Sequence, residues 1–364
     1  MNFGFTEEQE LLRDQVRRFM QDACPMSEVR AVMKSATGTS PSLWRQAAEL
    51  GWLGLIIPER FGGIGLKWVD LTVVLEETGR GLCPLPIISQ TLAAAALLRC
   101  GSDAQKQNLL PALADGSRVG TLALYDEPNW VHPDAIKLTL DGGRLKGTKP
   151  FVADAGAADL FVVACRSTGG FKLAIVDRNA PGVTVAVQPM MDETKRIGTL
   201  TLDVALKDAQ IMPLTPDDLA YLSDCGAVAV TAESVGAAEA ALAMTTAYAK
   251  ERIQFGNPIG KYQGVKHRLA EMFVDIESFK SLSYYAAWTV DDAPAELPRA
   301  ASLAKAYASD AFARIGIDGV QLHGAIGFTA EYDIQLFLKR SKWARPMFGD
   351  SDHHYERVAA LGGL

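Results

Sequence analysis

Apolar positions recur at helical spacing through the first 115 or so residues. In FTEEQELLRDQVRRFM, Thr6 followed three residues on by Gln9 has the form of a capping box, and Leu11, Leu12, Val16 and Phe19 fall on one stripe of the helix it opens. SPSLWRQAAELG places Ser40 as cap, Pro41 at the first helical position and Gly51 as stop. SDAQKQNLLPALADG begins a further helix at Ser102 and ends it at Gly116. Between them PERFGGIGL has no helical period and reads as a Gly-rich turn.

From about Val119 the pattern changes. VGTLALYDEP, IKLTLDGGRLKGTKPFVA, DLFVVACRSTGGFKLAIVD and GTLTLDVAL are rich in β-formers, with hairpin signals at Asp141-Gly142-Gly143 and Thr168-Gly169-Gly170. Thr215, Pro216 and Asp218 then start a long Ala- and Gly-rich helix, whose small side chains suit close packing inside a bundle. HRLAEMFVDIESFKSLSYYAAWTV and RAASLAKAYASDAFARIGIDGVQLHG give two more long helices. The expected class is α+β: a helical domain over 1–117, a small antiparallel β domain over 118–213 and a helical, four-helix-bundle domain over 214–364.

Composition narrows the function. A length of 364 residues calls for several domains or one large layered fold. A net charge of −7 argues against nucleic acid or an anionic membrane surface as partner, and no apolar run reads as a membrane span. The opening residues turn charged at once, so no signal peptide is expected. Cys24, Cys83, Cys100, Cys165 and Cys225 are odd in number and widely spaced, which fits reduced thiols and a cytoplasmic location.

Three stretches could carry chemistry. ERIQFGNPIGKYQGVKHRLAEM, Glu251 to Met272, reads as a long helix ending at Phe255-Gly256, an Asn-Pro turn and a new helix starting near Gln263. An arginine on the last turn of one helix and a glutamine opening the next suit a phosphate-bearing ligand, or the stretch is an ordinary αα-hairpin. VQLHGAIGF, Val320 to Phe328, is a helix followed by Gly324 and Gly327, which allow close backbone approach to a ligand or simply stop the helix. FGDSDHHYER, Phe348 to Arg357, gathers five acidic and histidine side chains. Adjacent His353 and His354 point about 100° apart on a helix, so a shared metal ion is not expected there.

These motifs together resemble the acyl-CoA dehydrogenase family of flavoproteins. Arg252, Phe255, Gly256, Pro258, Ile259 and Gln263 stand as in its R-x-x-F-G-x-P-I-x-x-x-Q signature, and Gln321, His323, Gly324 and Gly327 as in Q-x-H-G-G-x-G, with Ala325 for the second glycine. ELGWLGLIIPERFGGIGL and GSDAQKQNLLPALADG match its N-terminal domain, so the resemblance spans essentially the whole chain. It implies FAD as cofactor, α,β-desaturation of an acyl-CoA thioester, an electron-transfer flavoprotein as acceptor, and a dimer or tetramer. In the family a carboxylate takes the α-proton while hydride leaves Cβ for the flavin, and each flavin is held by two subunits. The neighbour's share is matched here by Arg252, Phe255, Gly256, Gln263, Gln321, Gly324 and Gly327.

The other share departs from the family pattern. YDEPNWVHPD keeps Glu127, Pro128 and Asp134 but lacks the Gly-Ser of the family loop, and GTKPFVADAG keeps Gly147 and Lys149 but has Ala153 where a hydroxyl is usual. One subset of the family places a glutamate base, followed by an arginine near the substrate, at the two positions that are Gly226 and Ala227 here. Aligned to the other subset, the base falls on Gly349 or Asp350, so Asp350 is the candidate base, or else the cap of the final helix, and Ser351 a candidate flavin contact. This lopsidedness resembles the smaller, divergent subunits of heteromeric acyl-CoA dehydrogenases, some of which take bulky steroid or dicarboxylyl thioesters. Three functions stay open: a self-sufficient acyl-CoA dehydrogenase, a non-catalytic or half-site subunit, and a flavin-free scaffold. Lys342 and Arg345 read as a solvated helix end rather than a CoA contact, and His323 as structural.

Overall fold

The helix starts marked at Thr6, Ser102 and Thr215 are capped by the side chains that mark them, whereas Ser40 stands at the N-cap of Pro41–Glu49 with no side-chain cap bond, its hydroxyl meeting that of Ser42 at 3.0 Å instead. The computed structural model describes residues 5–126 and 132–363. Thr6 Oγ1 accepts from the Gln9 amide at 3.3 Å while the Gln9 side chain accepts from the Thr6 amide at 3.0 Å, opening helix Glu7–Ala23. Ser102 and Gln105 form the same reciprocal pair before Asp103–Ala114, and Thr215 and Asp218 before Pro216–Glu251. Each pair satisfies amides that have no partner within the helix. Gly51 and Gly116 follow helix ends at φ of +79° and +70°, where a Cβ would be strained.

The chain forms two units. One comprises Ala31–Leu71 and Pro84–Gly226 and contains the sheet. Its strands are β1 (Gly120–Ala123), β2 (Thr139–Asp141), β3 (Arg144–Ala153), β4 (Leu160–Ser167), β5 (Gly170–Asp177), β6 (Val183–Gln188), β7 (Ile197–Ala205) and β8 (Ile211–Pro213), in the order β6-β7-β3-β2-β4-β5-β8, with β1 also beside β4. Both expected hairpins form: Gly142-Gly143 joins the paired Asp141 and Arg144, and Thr168-Gly169 joins the paired Ser167 and Gly170. Most pairings are antiparallel as expected, but β1 and β2 each pair with β4 in parallel, making the sheet mixed. Neither reaches β4 through a two-residue turn, and parallel pairing requires such longer connections. Phe161, Val163 and Cys165 of β4 meet Leu145, Val152, Leu200, Leu202 and Val204 in the core of this unit.

The other unit comprises Met1–Arg30, Thr72–Cys83 and Ala227–Leu364. Its main helices include Gln263–Asp292, Leu297–His323, Ile334–Ala344 and Ser351–Leu361. In helix Glu7–Ala23 the buried residues are Arg13, Val16 and Met20; of the expected stripe Val16 is buried and Leu12 and Phe19 are half-buried, but Leu11 is 66% exposed. Arg13 instead turns inward to bond Glu76 at 2.8 Å, so an ion pair takes a place that periodicity reserves for an apolar side chain. The close packing expected of the Ala- and Gly-rich helix is present. A Cβ on Gly236 would lie 1.7 Å from the Glu76 carbonyl oxygen, and one on Gly79 would lie 2.0 Å from that of Glu233. Pro216–Glu251 is long and apolar enough to cross a membrane by composition, but 72% of its apolar window is buried in the protein. It ends at Glu251, four residues before the expected Phe255.

Candidate functional site

Arg252 is the first residue beyond that helix rather than part of its last turn. Ile253–Gln254 and Asn257–Pro258 pair as a two-residue-turn hairpin with Phe255 and Gly256 at its tip, both at positive φ (+50° and +75°). The Ile259 amide closes its base on the Arg252 carbonyl at 2.8 Å, and the Tyr262 hydroxyl ties the tip through the Gln254 carbonyl at 3.0 Å. Helix Gln263–Asp292 then starts where expected. This rigid turn leaves Phe255 91% exposed. A large aromatic ring held in water on a strained turn is spent on something outside its own unit.

The second signature lies beside the first. His323, at the end of helix Leu297–His323, is buried, donates through Nδ1 to the Gly319 carbonyl at 2.7 Å, and stacks on Tyr248 with ring centroids 4.4 Å apart. Burial moves its titration down. Tyr248 sits one turn before Arg252 and accepts its amide at 2.8 Å, so His323 joins the two signatures as a structural residue. Arg252, Gln263 and Gln321 are all exposed, and their side chains have no hydrogen bond or ion pair among the described residues. Gly256 and Gly324 are exposed, and a Cβ on either would meet nothing within 4 Å. Gly324 adopts φ +63°, ψ −141°, a conformation open essentially to glycine alone. Gly327 differs, being buried where a Cβ would lie 2.5 Å from the Val320 carbonyl oxygen, so internal packing accounts for it. An exposed guanidinium, two carboxamides, an aromatic face and two open glycines on one surface fit the phosphate and ring portions of a flavin nucleotide.

The FGDSDHHYER stretch is a tight turn and the start of the last helix. Phe348 and Gly349 are both at positive φ, +58° and +98°. Asp350 caps helix Ser351–Leu361, its Oδ1 accepting from the His353 amide at 3.0 Å, so the capping role is present. Ser351 is buried and accepts from Arg345 at 3.1 Å; Arg345 also pairs with Asp310 at 3.3 Å. His354 is 1% exposed. Its Nε2 donates to the Phe348 carbonyl at 2.9 Å, which leaves Nδ1 to accept from Ser302 Oγ at 3.2 Å. Ser302 in turn accepts from Arg357 at 3.2 Å. Both ring nitrogens of His354 thus have structural partners, and burial pushes its pKa down to about 2. Among the described residues no group of three His, Cys, Asp or Glu is placed to hold a metal ion.

Lys305, on helix Leu297–His323, anchors this turn and drew no attention in the sequence. It is 1% exposed, and its Nζ donates to Ser309 Oγ and to the carbonyls of Arg345 and Gly349, each at 2.9 Å. The available signal was a lone lysine in the small-residue run RAASLAKAYASD. Lys305 and Gln321 are sixteen residues apart on one helix, an axial distance of about 24 Å. The Asp350 turn and the Arg252–Gln321 surface therefore lie toward opposite ends of that helix.

In the sheet unit, Lys149 on β3 is buried, donates to the Leu124 carbonyl at 3.0 Å and pairs with Asp126 at 3.0 Å. Ala153 ends β3 with no hydroxyl to offer, and its carbonyl accepts from Thr121 at 2.7 Å. His132 accepts from the Asp134 amide at 3.2 Å and Asp134 pairs with Arg166 at 3.1 Å. Glu127 and Pro128 lie outside the described residues. Gly226 and Ala227 are both buried.

Family models agree with this layout. Residues 6–117 match the acyl-CoA dehydrogenase N-terminal domain and residues 224–362 the acyl-CoA dehydrogenase C-terminal domain. The chain belongs to the acyl-CoA dehydrogenase family. It is therefore one of a group of flavoprotein oxidoreductases. It is 33% identical over 359 residues to the acyl-CoA dehydrogenase IpdE2 of Mycolicibacterium smegmatis, covering 98% of this chain and 99% of that protein. Among solved structures it is similar to the Tcur3481–Tcur3483 steroid ACAD, with TM-score 0.87, 32% identity and 98% of each chain covered. It is also similar to the ChsE4–ChsE5 complex of Mycobacterium tuberculosis, with TM-score 0.91, 28% identity, and 100% and 99% covered.

Proposed function

We propose that this chain takes part in the FAD-dependent α,β-desaturation of an acyl-CoA thioester, and that its Arg252–Gln263 hairpin and Gln321–Phe328 segment serve a flavin held mainly by a neighbouring subunit. The observation that carries this is placement. Gln321, beside the exposed Arg252, Phe255, Gly256, Gln263 and Gly324, lies about 24 Å along one helix from Lys305, which holds the turn that presents Asp350. One flavin ring cannot touch both from the same unit, so two copies, or two different chains, must share the work. When bound, FAD supplies the hydride acceptor. Asp350 is the base of this reading: its Oδ1 is committed to the His353 amide, and its second oxygen takes the α-proton. The packing contacts found for Gly327 and Ser351 leave neither as a flavin ligand in this reading. Electron-transfer flavoprotein is the acceptor expected by analogy.

A second reading, of a half-site subunit whose catalytic base lies on a different chain, is favoured by Ala153 and by Gly226 and Ala227, small residues where the family places a hydroxyl and, in one subset, a glutamate base followed by an arginine. Two similar structures are named as two-component assemblies, one of them a steroid ACAD, which points the same way and toward a bulky thioester. The visible spectrum of the purified lone chain, with flavin counted per polypeptide, separates the readings. One FAD per chain, lost in Arg252→Ala, and turnover abolished in Asp350→Asn with flavin retained, is the result expected for a self-sufficient enzyme. Flavin acquired only on co-expression with a homologous chain, and turnover indifferent to Asp350→Asn, establishes the half-site. A flavin-free protein under both conditions refutes both readings and leaves a scaffold.

A further inference from the structure

The turn that presents Asp350 is held by a buried cation for which neither the fold nor the reaction has an evident need. We propose that Lys305 is a positioning residue for Asp350, its ammonium fixing the turn from which the carboxylate is presented. The proposal rests on the reading of Asp350 as base.

The three protons of the ammonium meet three acceptors at 2.9 Å: Ser309 Oγ on its own helix, and the carbonyls of Arg345 and Gly349 at the two ends of the turn. With His354 holding the Phe348 carbonyl, three of the five backbone carbonyls from Arg345 to Gly349 are bound by buried side chains. The two residues preceding Asp350 are thus clamped from both sides, and they are the two at positive φ. Such a turn relaxes when its clamps are removed. A neutral amine has two protons for three acceptors, so deprotonation must release one of these contacts.

The surroundings make that proton labile. Burial brings the Lys305 pKa down to about 7, against the carboxylates of Asp350 and Asp310, which raise it, and with Arg345, which lowers it further. His354 faces it from the last helix and is neutral. Helices Pro216–Glu251 and Ile334–Ala344 add Thr231, Ser234 and Ser341 around a small cavity beside Lys305, and their Glu233 and Arg340 pair with each other at 3.2 Å. The cavity lining has no carboxylate, so Asp350 and Asp310 are the counter-charges that answer the ammonium. The clamp is therefore closed below about pH 7 and loosens above it.

The experiment measures kcat and KM against pH for the flavin-loaded assembly, with its partner chain where one is required. Wild type is compared with Lys305→Met, Ser309→Ala and Asp350→Asn. Wild-type kcat is expected to fall on the alkaline side of about pH 7. Lys305→Met lowers kcat on the order of tenfold with KM nearly unchanged and removes that alkaline limb. Ser309→Ala keeps the charge but removes one acceptor of the ammonium, so the limb moves to lower pH; this variant decides the matter if Lys305→Met does not fold. Wild-type kcat and pH profile in Lys305→Met, or an unmoved limb in Ser309→Ala, overturn the inference while Asp350→Asn, inactive, still supports the base. Full turnover in Asp350→Asn removes the base reading and the inference with it.

Discussion

His354 offers a direct test of how the last helix is held. In the folded protein its imidazole is neutral, with Nε2 donating to the Phe348 carbonyl and Nδ1 accepting from Ser302. Protonation would place a second hydrogen against the Ser302 hydroxyl inside a site that already contains Lys305 and Arg357, and burial holds the folded pKa down near 2. Once helix Ser351–Leu361 opens, the ring titrates at its ordinary value of about 6.5. The open state thus binds a proton that the closed state refuses, and acid favours opening. Because the folded value lies far below the window, the slope is set by the freed imidazole alone. Between pH 6.5 and 5 the closed state loses about 1.6 kcal/mol, roughly 16-fold in the opening equilibrium. Lys305, with a folded pKa of about 7, is largely charged in both states across that range and adds little to the slope. Hydrogen exchange of the amides in Ser351–Leu361, corrected for intrinsic rates, measures the opening directly. Wild-type protection factors are expected to fall by that factor on acidification, and His354→Gln, weaker at every pH, to show no such slope. Protection that stays level from pH 6.5 to 5 in the wild type, or falls equally in both proteins, refutes the reasoning.

Two further outcomes follow from packing and charge. Gly236→Ala sets a Cβ 1.7 Å from the Glu76 carbonyl oxygen, a backbone atom with nowhere to turn; about 3 kcal/mol or more of destabilisation is expected, and an unchanged thermal melting curve would contradict the helix crossing. Asp126→Ala strands the Lys149 ammonium in the interior, where burial already lowers its pKa; a loss of about 3–5 kcal/mol is expected in chemical denaturation, mostly recovered when Lys149→Met is added. Equal stability of the single and double variants would show that the stranded Lys149 charge is not the source of the loss.

What could be read from the residues was whatever local chemistry decides. The Thr6–Gln9 cap, the helix start at Ser102 and turns such as Gly142-Gly143 draw on neighbours within three residues, and the structure places each as expected. What escaped depends on partners distant in the chain. Leu11 belongs to the helical stripe by spacing, yet the buried face goes to Arg13 because Glu76, 63 residues away, supplies its counter-charge. The parallel pairings of β1 and β2 with β4 lie beyond the reach of a hairpin signal for the same reason.

The candidate site divides along the same line. The Arg252 and Gln321 signatures are contiguous motifs whose positions spacing reveals, whereas the packing of Gly327 against the Val320 carbonyl is not visible in them. The candidate base is placed only to within one residue, at Gly349 or Asp350. Phe348 and Gly349 reverse the chain there with two successive positive φ angles, which residue spacing alone does not reveal. The groups that settle the turn, Lys305 and His354, carry no motif: one is a lysine among alanines and the other half of an apparent histidine pair. Lys305 binds the carbonyls of Arg345 and Gly349, and His354 Nε2 that of Phe348. Within FGDSDHHYER Asp350 caps the last helix, and the reversed turn leaves interior carbonyls that His354 and the distant Lys305 bind. Buried donors must satisfy them if a carboxylate is to be held in one place.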